Sequence, residues 1–213
     1  MATVVNGKRS GMNQAIFPPP IYTLVRYADR YNVDKTALDC GAGGRKPPLA
    51  LFFQHGYKAY GIDLSDAQLT AATDFAEREK IELNMVKADM RWIPFRDATF
   101  GCVYSWNASV HLTKEDTELA VGEMLRVLKK GGLLYTNFIW EKGRWEDLGE
   151  ERERGEFWTI IDGEDVVHSC FSEAEADRFF EKVDLLYKQR RQTALRRKGK
   201  LRNEAYLDYI VRK

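Results

Sequence analysis

Thr36-Ala37-Leu38-Asp39-Cys40-Gly41-Ala42-Gly43-Gly44 is a short apolar run that stops on glycines, and its reading decides the fold. The run reads as a strand buried in a sheet, and the glycines read as a tight turn where backbone can approach a ligand closely. Pro47 and Pro48 follow where a helix would take its first turn, a place where a missing N–H costs nothing. A second strand over residues 57–62 closes on Asp63, twenty residues after Gly43. Ser65-Asp66-Ala67-Gln68 then spells a capping box, and residues 67–80 continue with helical character.

The alternation persists outward from this unit. Upstream, Pro18-Pro19-Pro20 blocks a helix from running through, and residues 21–32 place Ile21, Leu24, Val25 and Ala28 at helical spacing. Downstream, residues 82–88 form a third strand ending at Asp89, and residues 100–106 a fourth. Thr113 opens a helix that Gly131-Gly132 stops, and residues 133–140 form a fifth strand. The pattern then changes: residues 141–156 are charged, and strands at 157–161 and 166–171 flank an Asp162-Gly163 turn. A second capping box, Ser172-Glu173-Ala174-Glu175, precedes a helix to Val183. Two last strands, 185–194 and 201–211, share a short link and are expected to pair antiparallel. The expected architecture is α/β, Rossmann-like and doubly wound: a mostly parallel seven-stranded sheet with an antiparallel edge hairpin. Residues 1–213 read as a single domain, with 1–34 as an N-terminal lid and helix and 141–171 as a substrate-cap insertion.

Composition narrows the class. The chain has 213 residues, 44% hydrophobic and 31% charged, an ordinary globular balance. The 33 basic and 32 acidic side chains nearly cancel, so net charge alone points to neither nucleic acid nor membrane. Cys40, Cys102 and Cys170 form no CxxC pair and read as small buried hydrophobes. No His/Cys cluster has metal-ligand spacing, so no metal is expected. Lys8 and Arg9 precede no apolar block and no run approaches the length of a membrane span, which gives a cytoplasmic expectation.

In such sheets ligands bind at the carboxyl ends of the strands, so chemistry is sought there. Asp63 is placed to accept hydrogen bonds from both hydroxyls of a ribose, or to cap the following helix. Asp89-Met90 sets an acceptor beside an apolar side chain, a pair that suits a purine; a solvated strand end is the plainer reading. Gln68 either reaches the ribose or completes the Ser65 capping box, and Leu64 and Met90 are adenine walls or plain packing. Ser105-Trp106-Asn107 ends strand four. His111 stands a few residues beyond, the one histidine on the expected rim and a candidate base. Tyr22, on the first helix, is a candidate to close over the site.

Taken in order, these fragments resemble the class I S-adenosylmethionine-dependent methyltransferases of the small methyltransferase-domain type. Leu38 to Gly44 is similar to the glycine loop of that family, Gly61-Ile62-Asp63-Leu64-Ser65 to its second-strand motif, and Lys87-Ala88-Asp89-Met90 to its adenine-side motif. Glu123 to Gly132 resembles the helix and turn before strand five. The resemblance implies S-adenosylmethionine as cofactor and S-adenosylhomocysteine as product. It implies Gly41, Ala42, Gly43, Asp63, Leu64, Gln68, Asp89, Met90 and Ser105 as cofactor residues, with Tyr22, Trp106 and His111 around the acceptor. Arg45 stands where the family often has a further glycine, and is a candidate to face the cofactor's carboxylate. No Asn-Pro-Pro-Tyr or Asp-Pro-Pro-Tyr sequence follows strand four, which argues against amide- and adenine-methylating branches.

The absence of an appended recognition domain favours a small-molecule acceptor. Trp140, Trp145, Phe157, Trp158 and His168 join Trp106 and His111 as a candidate aromatic lining. Two other readings compete. Residues 188–202 hold eight Lys/Arg and no acid, a patch that would suit an RNA or protein methyltransferase but equally protects a sheet edge. A nicotinamide-dependent oxidoreductase shares the strand–loop–acid logic, but its last glycine position is occupied by Lys46.

Overall fold

The computed structural model describes residues 17–143, 148–161, 163–197 and 200–213, with the side chains of 195–202 outside the description. The strands are β1 (Thr36–Cys40), β2 (Lys58–Asp63), β3 (Asn84–Lys87), β4 (Phe100–Ser105), β5 (Leu128–Trp140), β6 (Glu150–Glu153), β7 (Glu156–Ile161), β8 (Glu164–Phe171), β9 (Asp184–Arg197) and β10 (Lys200–Arg212). The helices are α1 (Pro19–Arg30), α2 (Leu49–Gln54), α3 (Asp66–Glu79), α4 (Lys114–Val127) and α5 (Glu173–Arg178).

Seven strands form the main sheet in the order β3-β2-β1-β4-β5-β10-β9. β3 to β5 run parallel, β10 lies antiparallel to β5, and β9 lies antiparallel to β10. The expected seven strands are therefore present, but the connected sheet has ten. β6, β7 and β8 form an antiparallel trio joined to β5 through Ile139–Cys170 and Trp140–Phe171. Ile139 already pairs with Tyr206 of β10 on one edge, so β8 takes the opposite edge, which β4 leaves after Ser105. That placement carries the trio onto the carboxyl end of the sheet.

Side chains alternate between two packed layers, as strands buried on both faces require. Ala37, Cys102, Tyr104, Leu133, Tyr135 and Ile210 pack with α1, α2 and Phe75 of α3. Leu38, Val103, Leu134, Phe138 and Leu207 pack on the other face with α4 and α5. α1 buries Ile21, Leu24, Val25 and Ala28 as its spacing predicts, each larger aliphatic contributing about 1.5–3 kcal/mol when fully buried. Pro19 and Pro20 do not exclude the helix but begin it, because the first turn needs no N–H donors. All three cysteines are buried and free.

Three local expectations change. β5 starts at Leu128, so Gly131-Gly132 does not stop α4 but sits in an irregular stretch of strand where the pairing with β4 shifts register. β6 is drawn from the charged Glu150–Glu153, which has no apolar alternation and is ordered by pairing with β7. The Ser172–Glu175 capping box closes in both directions, yet α5 ends at Arg178 rather than Val183. Residues 1–16 of the expected lid, Asp162 of the expected turn, and Trp145 lie outside the described residues. No helix of the described residues is long and apolar enough to cross a membrane.

Candidate active site

The carboxyl ends of β1, β2, β3 and β4 enclose a cavity of about 430 Å³. Gly41, Gly43, Asp63, Leu64 and Gln68 line it from the first βαβ unit. Asp89 and Met90 line it from beyond β3, and Trp106 and His111 from beyond β4. The structure thus brings together nine of the twelve side chains or glycines selected from sequence. Pockets for small ligands span roughly 300–1,000 Å³, so the size suits one.

The glycine loop works differently from expectation. Gly41 and Ala42 N–H both donate to the Ile62 carbonyl (2.8 and 2.9 Å), Gly43 N–H to Asp63 Oδ2 (3.0 Å), and Gly44 N–H to the Gln68 carbonyl (3.0 Å). The loop donors are committed to β2 and α3, so the loop offers a ligand a surface without side chains rather than a cradle of free N–H groups. A Cβ on Gly43 would fall 2.3 Å from Gln68 Cβ and 2.7 Å from Asp63 Oδ2. Gly41 has φ +102°, and a Cβ there would fall 2.2 Å from Ala108 Cβ. Neither position accepts any other residue without movement. No residue of α2 lines the cavity, and Arg45 is exposed outside it.

Asp63 is the keystone of this loop. While Oδ2 accepts from Gly43, Oδ1 accepts from Ser65 N–H at 2.9 Å. Ser65 caps α3 by accepting from Gln68 N–H (3.3 Å), but its own N–H is held by Asp63 and not by the Gln68 side chain. The capping-box reading of Gln68 therefore fails, and its side chain faces the cavity. Each carboxylate oxygen of Asp63 keeps a second lone pair for a ligand hydroxyl. Beneath the loop, Asp39 is buried and its Oδ2 has no partner. Burial pushes its carboxyl up to about 7, the adjacent Asp63 charge adds to the rise, and the Tyr104 hydroxyl opposes it.

Asp89 is not a solvated strand end. Both its oxygens grip the Arg91 guanidinium at 2.6–3.1 Å, and Arg91 reaches on to Asp116 at 2.8 Å. Burial works to raise the Asp89 carboxyl, but the Arg91 hydrogen bonds and charge outweigh it and hold it below the usual carboxylate range. Any ligand amine has to share this carboxylate with Arg91.

Beyond β4 the chain is held by a polar brace that sequence reading did not select. Asn107 adopts φ +54°, its N–H donates to Asn137 Oδ1 (2.9 Å), and Asn137 Nδ2 donates back to Asn107 Oδ1 (2.6 Å). Asn137 is fully buried on β5. Its signal in the sequence is Thr136-Asn137, two polar residues inside an apolar strand, where each buried polar group needs a partner. The brace aims Trp106 and Ala108 at the cavity.

Three selected residues do not line the cavity. Ser105 is fully buried and its Oγ accepts from Ser109 N–H (3.3 Å), so it secures the turn after β4. Ala42 turns its methyl toward Gly61, where an added Cβ would lie 2.4 Å away. Tyr22 sits on the outward side of α1, 39% exposed, with its hydroxyl accepting from Phe17 N–H at 3.4 Å. Its helical phase, between the buried Ile21 and Leu24, turns it from the sheet. Among the wider aromatic set, Trp158 stacks on Arg152 at 5.0 Å and Phe157 packs beside Val110, Ile139 and Cys170. His168, on β8, meets His111 edge-to-face with ring centroids 4.8 Å apart. Among the described residues, no group of three His, Cys, Asp or Glu is placed to hold a metal ion.

Comparison with known proteins agrees with this geometry. Residues 38–136 match the profile of a family described as the methyltransferase domain. The chain is 36% identical over 96 residues to the sterol 24-C-methyltransferase erg6 of Aspergillus fumigatus, covering 44% of this chain and 24% of the relative. It is 37% identical over 121 residues to the Neurospora crassa sterol 24-C-methyltransferase erg-4, covering 56% and 31%. The chain thus spans about a quarter to a third of the length of these relatives. Among solved structures, a Methanosarcina mazei SAM-dependent methyltransferase superposes with TM-score 0.72 at 20% identity, covering 92% of this chain and 98% of that one. The Burkholderia thailandensis 1,6-didemethyltoxoflavin-N1-methyltransferase, solved with that substrate and S-adenosylhomocysteine, gives 0.66 at 17% identity, covering 92% and 76%. Residues 38–136 thus match the methyltransferase-domain family, and the chain shares its fold with solved SAM-dependent methyltransferases.

Proposed function

We propose that the chain transfers a methyl group from S-adenosylmethionine to a small-molecule acceptor. The observation that carries this reading is the glycine loop locked to Asp63, which leaves a Cβ-free wall against a cavity of ligand size. The residues fit the cofactor. Gly41 and Gly43 leave room for its amino-acid portion, Asp63 and Gln68 face its ribose, and Leu64 and Met90 flank its base. Asp89 receives the exocyclic amine only by sharing lone pairs with Arg91. When bound, this cofactor supplies a methyl group on a sulfonium, an electrophile with its own leaving group. The chain's task is then to hold the acceptor in line at near-attack distance, with the 141–171 cap covering the acceptor side. Ser105 and Ala42 act through the loops they support, and Tyr22 has no part in the cavity.

A basic surface for RNA is the weaker alternative. Lys188 and Arg190 pair with Glu173 and Asp177 of α5, and Arg191 pairs with the buried Asp208. Three of the eight cations in 188–202 are thus committed within the chain, as a protected sheet edge requires. Isothermal titration with S-adenosylmethionine and S-adenosylhomocysteine tests the proposal. Saturable heat that is lost in Asp63→Ala is expected; no heat with either ligand on the native chain refutes it.

A further inference from the structure

Three titratable side chains line the cavity, and two of them are already committed. Asp63 holds the glycine loop and the α3 cap, and Asp89 holds Arg91. The third is His111, which closes the short 3-10 turn Ser109–His111 after β4. This turn is fixed from below by the Ser105–Ser109 hydrogen bond and the Asn107–Asn137 pair. From above, strand β8 meets the ring through His168, set edge-to-face against it. Ser169 Oγ also donates to the Leu112 carbonyl at 2.7 Å, tying the residue after His111 to the same strand.

A neutral imidazole keeps one ring nitrogen unprotonated, with a lone pair free to take a proton. Burial holds the His111 ring below the usual histidine range, against the pull of the Val167 carbonyl, and burial pushes His168 down to about 4 with His111 adding to the effect. Both rings are therefore neutral at neutral pH. His111 nevertheless reaches solvent through the open side of the cavity. It thus has an exit for any proton it collects.

Resting on the methyltransferase reading above, we propose that His111 is the base that takes a proton from the methyl acceptor, and that the acceptor is a weakly acidic O–H, S–H or N–H group. In this step the acceptor heteroatom forms a bond to the methyl carbon with its own electron pair. The carbon–sulfur bond breaks and leaves its pair on sulfur, turning the sulfonium into a neutral thioether. The acceptor's proton passes to the free nitrogen of His111 and from the imidazolium to water. His168 is a positioning residue, which acts by holding the His111 ring at the cavity. A carbon acceptor with no acidic proton has no use for such a base before transfer.

The test uses the full chain, and its first readout is calorimetry with S-adenosylhomocysteine. If the native chain does not bind it, the methyltransferase reading itself falls, independently of His111. The second readout is nitrogen NMR of selectively labelled histidine, where only His55, His111 and His168 contribute. His111 is expected to be neutral at pH 7.5; an imidazolium overturns the proposal. The third is transfer at pH 8 to phenol and to 4-nitrophenol, which is already largely ionised there. His111→Gln is expected to lose about 10²–10⁴-fold with phenol, the usual worth of a general base, and less than about tenfold with 4-nitrophenol. His111→Asn provides the same comparison should the first variant melt early. Equal losses with both acceptors mean a structural role and overturn the assignment. A native chain that binds S-adenosylhomocysteine but methylates none of phenol, thiophenol and aniline overturns the acceptor class.

Discussion

Replacing Gly43 by alanine tests the loop where its geometry is most exacting. The new methyl would lie 2.3 Å from Gln68 Cβ, whereas carbon atoms in contact rest about 3.5–4.0 Å apart. A separation of more than about 1 Å must therefore open, and Gln68 cannot supply it alone. Its carbonyl accepts from Gly44 N–H (3.0 Å) and its own N–H caps onto Ser65, so the start of α3 and the loop move together or not at all. Overpacking of this kind costs about 1–3 kcal/mol. The methyl also crowds Asp63 Oδ2 at 2.7 Å and strains the Gly43–Asp63 hydrogen bond, a charge-assisted contact worth about 1.5–3 kcal/mol. The total, about 2.5–6 kcal/mol, divides between stability and ligand affinity. Urea unfolding is expected to show a loss of about 2 kcal/mol, and calorimetry a rise of at least tenfold in the S-adenosylhomocysteine Kd, with about 1.4 kcal/mol per tenfold. A Gly43→Ala chain with the native urea midpoint and a Kd within threefold of native would show that the loop yields freely and would refute steric closure as its constraint.

Gly122 lies exposed in α4 with nothing within 4 Å of an added methyl, so Gly122→Ala is expected to stabilise the helix by about 0.5–1 kcal/mol. At this chain length that corresponds to a Tm rise of about 1–4 °C in a thermal melt, and a fall in Tm would contradict it. Asp208 is fully buried and accepts from the Tyr135 hydroxyl (2.9 Å) and from Arg191 (2.9 and 3.2 Å). Asp208→Asn leaves the Arg191 charge without its partner and is expected to cost about 3–5 kcal/mol in denaturant unfolding; a loss under about 1 kcal/mol would mean that the pair is not a stabilising contact. His168 has its folded pKa lowered to about 4 from 6.5, so the unfolded chain binds its proton first. That contribution to stability is complete above pH 6.5 and is lost as pH falls toward 4. His168→Phe should flatten the urea-midpoint profile across that window, and an unchanged slope would exclude His168 as its source.

Most of the sheet was legible because parallel strands leave short apolar runs and their turns leave glycine, proline or a capping serine. Thr36–Cys40 matches its expected bounds residue for residue, and Ser65, Thr113 and Ser172 all cap the helices they announce. What escaped reading depends on partners distant in sequence. Glu150–Glu153 becomes a strand through backbone pairing with Glu156–Ile161, which composition does not record. Gly131 and Gly132 look like a helix stop, but the strand runs through them because β4 pairs on both sides of the irregularity. In the site, the carboxylates were found by position at strand ends, but their partners were not. That Asp89 grips Arg91 and that Asp63 closes the loop are matters of side-chain direction. Asn137 was passed over because its partner Asn107 lies thirty residues away, across the β4–β5 crossover.

The place of β8 on β5 bears on how the antiparallel trio can move. An insertion tethered only at its ends swings as a flap, but this one is stitched into the backbone ladder of the main sheet. Ile139 and Trp140 pair with Cys170 and Phe171, and Glu141 N–H donates to the Phe171 carbonyl at 3.0 Å. Swinging it away would break the backbone hydrogen bonds of that seam, so the trio moves with the sheet that holds it. Grafting a different insertion here would succeed only if the graft brought its own docking strand and matched the last two residues of β5.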